Sequence, residues 1–391
     1  MLVINLRDPN TAHAPGDEVA GQVIYQPTTL QTSLSVRMIV ELAGRTKVKI
    51  RGHNGDRKST YRGRADLLRL IVSDTCGTQT VWPFTFLFPA TTAPIDPQLA
   101  DTRSLTHYMK TIPTTHPLPP TFSETLGFSL TPTHVCSVEY IIRASVWTTL
   151  ASKPKKLGEQ TVPITFRPRF DPRLPGMIIE PSRDISLMQE NVRIKSLLLL
   201  PENKDRSLTF REKTQSLFHQ SQLPYFDFQV YLTQPTKIHL GQQIPCTIRI
   251  VPSPATSTAP EIPSFTLTHF NFFGKGKTEV WASAWVVDRT SSNIDIIPRT
   301  NQENLGDFLP QKEYLKTVMV PSIFDQIPSF STYNIKRKYV LTAGVIVECV
   351  GKRITVLNKA EVTILPAHHD DGQIKSDGDP KLGTKHNKGV P

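Results

Sequence analysis

The sequence predicts an all-β protein built as two tandem antiparallel β-sandwiches. Three observations carry this reading. Apolar residues recur with period two over many short segments, prolines are too frequent for long helices, and one strand-opening pattern occurs twice. The chain has 391 residues, of which 33 are proline, about 8% against a usual ~5%. A proline within a helix removes a donor and clashes with the turn before it, which excludes a helical bundle.

In chain order, Pro15-Gly16-Asp17 is a turn opening a strand through Val19, Gly21 and Val23. Leu34, Val36, Met38, Val40 and Leu42 then alternate with Ser35, Arg37, Ile39, Glu41 and Ala43, a half-buried strand. Phe84, Phe86 and Phe88 line one face of another, closed by Pro83 and Pro89. Residues 91–134 carry seven prolines, among them Pro117, Pro119 and Pro120, and read as a long loop or extended insert. Val138, Tyr140, Ile142, Ala144 and Val146 resume the alternation and complete a first domain over 1–167.

Residues 168–222 read as a linker. It begins extended, because the prolines of Arg167-Pro168-Arg169-Phe170-Asp171-Pro172 bias their predecessors away from helix. Within it, a strand over 192–200 and a short helix between 203 and 222 are candidates. A second domain, 223–366, contains Phe226, Phe228, Val230 and Leu232, then Ile244, Cys246, Ile248 and Ile250, then the alternation from Tyr339 to Cys349. Gly276-Lys277-Thr278 resembles the end of a phosphate loop. The glycine needed five places earlier is Asn271, so a hairpin turn is expected instead. Residues 367–391 are too poor in apolar side chains to pack and are expected to be a disordered tail.

Gly16 and Gly241 open equivalent strands at an offset of 225, whereas Tyr140 and Tyr339 match at an offset of 199. The shrinking offset implies two copies of one unit, the first longer by 26 residues, which the proline-rich segment supplies.

Lys and Arg number 45 against 34 Asp and Glu, a net charge of +11 that favours anionic partners. The clearest basic patch is Lys47, Lys49 and Arg51, on one strand face opposite Val48 and Ile50, flanked by Arg45, Arg57, Lys58, Arg62 and Arg64. Cations spaced ~7 Å apart along a strand suit phosphates on a peptide or a lipid headgroup. Lys153-Pro154-Lys155-Lys156 is a candidate contact for an anionic membrane, and Lys336-Arg337-Lys338 reads as the charged flank of an apolar strand. No zinc finger, basic helix or aromatic RNA-binding run occurs, which speaks against nucleic acid. No G-x-S-x-G elbow or H-E-x-x-H motif occurs either, so no enzyme activity, cofactor or resident metal is expected. His368-His369-Asp370-Asp371 holds potential ligands without a preorganised frame. Cys76, Cys136, Cys246 and Cys349 show no metal or redox spacing and read as buried, reduced thiols of a cytosolic protein. No apolar run approaches the ~18 residues of a membrane span, and Arg7 and Asp8 come too early for a secretory segment.

The ordered set of motifs resembles the arrestin fold, most closely the fungal arrestin-related (alpha-arrestin) proteins. It comprises Pro15-Gly16-Asp17 with Val19, Gly21 and Val23, then Val36, Met38, Val40 and Leu42 ending at Gly44. The second copy has Leu240-Gly241-Gln242 with Ile244 and Ile248, followed by Ile327-Pro328-Ser329-Phe330-Ser331-Thr332 and Tyr339-Val340-Leu341. The resemblance spans roughly 1–366 and implies immunoglobulin-like sandwich topology in a non-catalytic cytoplasmic adaptor. Such an adaptor binds the cytosolic tails of membrane proteins, is recruited to the plasma membrane or endosomes, and couples cargo to ubiquitination and endocytosis. A retromer-like sorting subunit is the alternative relative, ahead of an anionic-lipid or nucleic-acid-binding protein. Alpha-arrestins recruit WW-domain HECT ubiquitin ligases through PPxY. This chain has no PPxY, its nearest segment being Pro119-Pro120-Thr121-Phe122, so Pro119, Pro120 and Phe122 are the candidate partner-docking residues.

Overall fold

The computed structural model describes residues 1–27, 36–54, 57–76, 80–93, 115–126, 134–148, 154–170, 179–180, 183–203, 206–218, 221–282, 290–308, 313–323 and 326–367. The N-terminal half contains β1 (Leu2–Leu6), β2 (Ala12–His13), β3 (Glu18–Tyr25), β4 (Val36–Asn54), β5 (Arg57–Cys76), β6 (Val81–Leu87), β7 (Phe122–Leu126), β8 (His134–Thr148) and β9 (Lys156–Phe166). After β10 (Ile185–Lys195) come two 3-10 turns, Leu197–Leu199 and Pro201–Asn203, and the helix α1 (Phe210–Phe218). The C-terminal half continues with β11 (Tyr225–Pro235), β12 (Lys237–His239), β13 (Ile244–Pro252), β14 (Phe265–Val280), β15 (Thr290–Phe308), β16 (Tyr314–Val320), β17 (Phe330–Ser331), β18 (Ile335–Cys349) and β19 (Lys352–Leu365).

The protein is all-β, and its two halves repeat one strand order. A six-stranded sheet runs β2-β9-β8-β4-β5 with β7 added beside β8; its counterpart runs β12-β19-β18-β14-β15 with β17 added beside β18. Each opens with a short parallel pairing, β2 on β9 and β12 on β19, and is otherwise antiparallel. The smaller sheets are β1-β3-β6 and β10-β11-β13-β16. Gly16 and Gly241 mark the same turn in both copies, with φ of 83° and 84°. A Cβ is disfavoured in that left-handed region, hence glycine at both positions. The amide of Gly16 donates to the Phe88 carbonyl at 2.8 Å, and that of Gly241 to the Ile323 carbonyl at 2.9 Å.

Alternation sets what each strand buries. Trp82, Phe84 and Phe86 of β6 face inward, as do Phe226, Phe228, Val230 and Leu232 of β11, each side chain contributing about 1.5–3 kcal/mol on burial. Two core clusters result, one per half. The first also takes in Val280, Ala282, Tyr333 and Ile335 from the C-terminal half, so the junction between the halves is partly an extension of a core. Among the described residues no helix is long and apolar enough to cross a membrane.

Several expectations change. Residues 91–134 are not one open loop: the amide of Thr92 donates to the His116 carbonyl at 2.8 Å, Leu118 is buried, and β7 pairs with β8. Residues 94–114 and 127–133 of that segment lie outside the described residues. The stretch expected as a linker supplies β10, which pairs along its length with β11 and so belongs to the second half's smaller sheet. The short helix expected there is α1. Thr209 and Glu212 cap it reciprocally, the Thr209 amide donating to Glu212 Oε2 at 2.8 Å and the Glu212 amide to Thr209 Oγ1 at 3.4 Å. Gly276-Lys277-Thr278 is no hairpin turn. It lies within β14, paired on one side with β15 and on the other with β18. The tail from 368 onward lies outside the described residues, with its His-His-Asp-Asp run.

Candidate anion-binding face

In β4, Val48 and Ile50 are 3% and 2% exposed and point into the core, which turns Lys47, Lys49 and Arg51 to the outer face. The antiparallel hairpin completes the patch by register: Arg64 of β5 lies opposite Lys47, Arg62 opposite Lys49 and Thr60 opposite Arg51. Residues directly opposite share a face, so β4 and β5 present their cations together.

The charges are neutralised unevenly. Glu139 of β8 accepts from Lys47 at 2.6 Å and from Arg45 at 3.3 Å. Burial pushes its carboxyl up, but the hydrogen bonds from Lys47 and Ser137 and the charges of Lys47 and Arg45 outweigh this and hold it below the usual carboxylate range. Arg64 reaches Asp66 at 3.6 Å. Among the described residues, neither Lys49 nor Arg62 has a carboxylate within ion-pair range. These two like charges sit directly opposite, an arrangement that costs about 0.2–1 kcal/mol and that a bridging anion would reverse. Lys47 is thus committed to an internal partner, while Lys49 and Arg62 are the pair with unspent charge.

The other candidates fare differently. Pro119 and Pro120 are buried, and Phe122 is 4% exposed. The Tyr140 hydroxyl donates to the Pro119 carbonyl at 2.7 Å, the Thr121 amide to the Phe166 carbonyl at 2.9 Å, and Phe122 meets Phe330 edge-on at 5.4 Å. As placed, these residues offer a partner no surface, which corrects the expectation that they dock one. They are core and junction residues. Lys156, the first residue of β9, pairs with Glu159 and lies over the Trp147 ring, 5.8 Å from its centroid, so its charge is engaged; Lys153 lies outside the described residues. Cys136, Cys246 and Cys349 are buried free thiols, each pushed up to about 12 by burial; the Cys76 side chain lies outside the described residues. Among the described residues no group of three or more His, Cys, Asp or Glu side chains comes together to hold a metal.

One polar cluster is not visible in the sequence. Arg337 of β18, read as a charged flank, is 6% exposed, and its Nη1 donates to both oxygens of Glu124 in β7 at 3.0 Å. Thr278 of β14 donates to the same carboxylate and accepts from Arg337. A Cβ on Gly276 would sit 2.5 Å from Arg337 Nη2, so the glycine of the supposed phosphate loop is there to seat a guanidinium.

No protein-family model and no curated protein sequence matches this chain.

Proposed function

We propose that the protein is a non-catalytic, arrestin-like adaptor of the cytoplasm that binds the cytosolic tails of membrane proteins, with the outer face of the β4–β5 hairpin as its anion-reading surface. The observation that carries this is the Lys49–Arg62 pair, two opposed cations that have no carboxylate in ion-pair range among the described residues. An extended acidic or phosphorylated segment laid along the hairpin would place an anion between them and gain charge-assisted hydrogen bonds. The repeated strand order of the halves, with matching left-handed glycines at 16 and 241, supports the tandem arrangement the resemblance implies. Ubiquitin-ligase recruitment through Pro119-Pro120 is no part of the proposal, because that segment is buried.

Proximity labelling in cells tests the reading. Membrane proteins with acidic or phosphorylated cytosolic tails should be labelled by the intact chain and lost when Lys49 and Arg62 become Glu. A fixed, stoichiometric set of soluble partners that both versions retain would instead identify a subunit of a permanent complex and overturn the adaptor reading.

A further inference from the structure

At the far end of the C-terminal half, a cavity of about 640 Å³ opens between the segment after β10 and the β18–β19 hairpin. Leu197, Leu198, Leu208, Leu223 and Val350 form its apolar wall. The four leucines are each only half-buried, so they leave apolar surface uncovered. A second cavity of about 190 Å³ adjoins it, the two sharing Leu198, Val350 and Gly351.

Arg193, Lys195 and Lys352 also line the larger cavity, and among the described residues no acidic side chain does. Arg193 is engaged by Asp227 through two hydrogen bonds of 2.8 Å. Lys352 Nζ donates at 2.7 Å to the backbone carbonyl of Lys195, a neutral acceptor, and among the described residues it has no carboxylate in ion-pair range. Among the described residues Lys195 has no carboxylate in ion-pair range.

The turn between β18 and β19 adds an independent sign. Val350 and Gly351 form a two-residue loop with φ of 44° and 74°, where asparagine and glycine are the usual pair. A β-branched residue at positive φ is strained, and such strain persists where the side chain is needed. Here it sets an isopropyl group in the wall shared by both cavities.

We propose that this cavity takes the acyl chain of an anionic amphiphile, with the head group held by Lys195 and Lys352. The volume lies within the ~300–1,000 Å³ of small-molecule sites, and a lining that combines an apolar wall with cations matches an apolar chain ending in a carboxylate or phosphate.

Carboxyl-¹³C palmitate below its critical micelle concentration, titrated into the intact chain and followed by NMR, tests this, with vesicles of equal parts phosphatidylcholine and phosphatidylserine as a second probe. Saturable binding of either probe is expected, weakened about tenfold in the Lys195→Ala/Lys352→Ala variant by loss of its charge-assisted contacts. Val350→Gly should also weaken binding while moving the melting temperature little, because relief of the positive-φ strain offsets the packing lost against the core; it guards against mistaking misfolding for loss of the site. Palmitate binding identifies a soluble acyl ligand, and vesicle binding alone identifies a lipid presented by a bilayer. Binding of neither probe, or full-strength binding in either variant, overturns the proposal.

Discussion

The guanidinium of Arg337 and the carboxylate of Glu124 meet at 3.0 Å across the junction of the two halves, both side chains less than a tenth exposed. Apolar contacts such as Phe122 on Phe330 surround them, and the His116 ring meets Thr332 Oγ1 at 3.1 Å nearby. A buried pair of this kind is weak evidence for stability as a pair, yet removing one member strands the other's charge. Glu124→Ala should therefore destabilise the protein by about 3–5 kcal/mol in urea unfolding, and an apolar replacement of both partners should recover most of that loss. Gly276→Ala acts on the same seat by forcing Arg337 to move, and its unfolding midpoint should fall in the same direction.

On the outer face of the β4–β5 hairpin, stability and binding should part company. Lys49→Glu turns a repulsive cross-strand pair into an attractive one with Arg62, so the folded state should gain about 0.2–1 kcal/mol. The same change should remove affinity for an anionic peptide. A variant that lost both would mean that Lys49 supports the fold instead.

Phe122→Ala should cost about 3–5 kcal/mol, the penalty of truncating a core aromatic, measured by chemical denaturation. Had Pro119-Pro120-Thr121-Phe122 been an exposed docking motif, the same substitution would leave the unfolding midpoint where it was.

The cap of α1 should outlast mild acid. Hydrogen bonds from Arg206, then from the Thr209 amide and hydroxyl, lower the Glu212 carboxyl to about 2 from an ordinary 4.5. A carboxyl depressed on folding contributes stability that is fully present above its unfolded pKa and disappears as pH falls through the folded one. The contribution should therefore be complete above about pH 4.5 and lost toward pH 2, and Glu212→Gln should erase that pH dependence. The chemical shift of the Glu212 side chain, followed by NMR titration, checks the value directly.

Thiol chemistry offers a further check. With their thiols pushed up to about 12 and their side chains buried, Cys136, Cys246 and Cys349 should resist iodoacetamide at neutral pH in the native protein. Peptide mapping should find all three alkylated once the chain is unfolded.

Strand content was legible in the sequence because a half-buried strand writes its burial as period two: β8, β11, β13 and β18 fall on the alternations from Val138, Phe226, Ile244 and Tyr339. Lys47, Lys49 and Arg51 could be placed on one face by the same rule. That Lys47 is neutralised by Glu139, and that Arg62 stands opposite Lys49, follows only from how β4 pairs with its two neighbours. Contacts made at long range were opaque. Gly276 lacks a side chain because of Arg337, Pro119 and Pro120 are buried with the Pro119 carbonyl bonded to Tyr140, and nothing local to either segment records that. β10 reads as linker because its exposed edge dilutes the alternation, leaving Ile185 and Leu187 about half exposed.

The most direct test of the adaptor reading is fluorescence anisotropy of one serine-rich peptide, phosphorylated and unphosphorylated, titrated with the intact chain and with the Lys49→Glu/Arg62→Glu variant. The phosphorylated form should bind more tightly, weaken as salt screens the outer face, and lose its advantage in the variant. Equal affinity for both peptides, or a phosphate preference that survives the double substitution, would contradict an anion-reading surface on the β4–β5 hairpin.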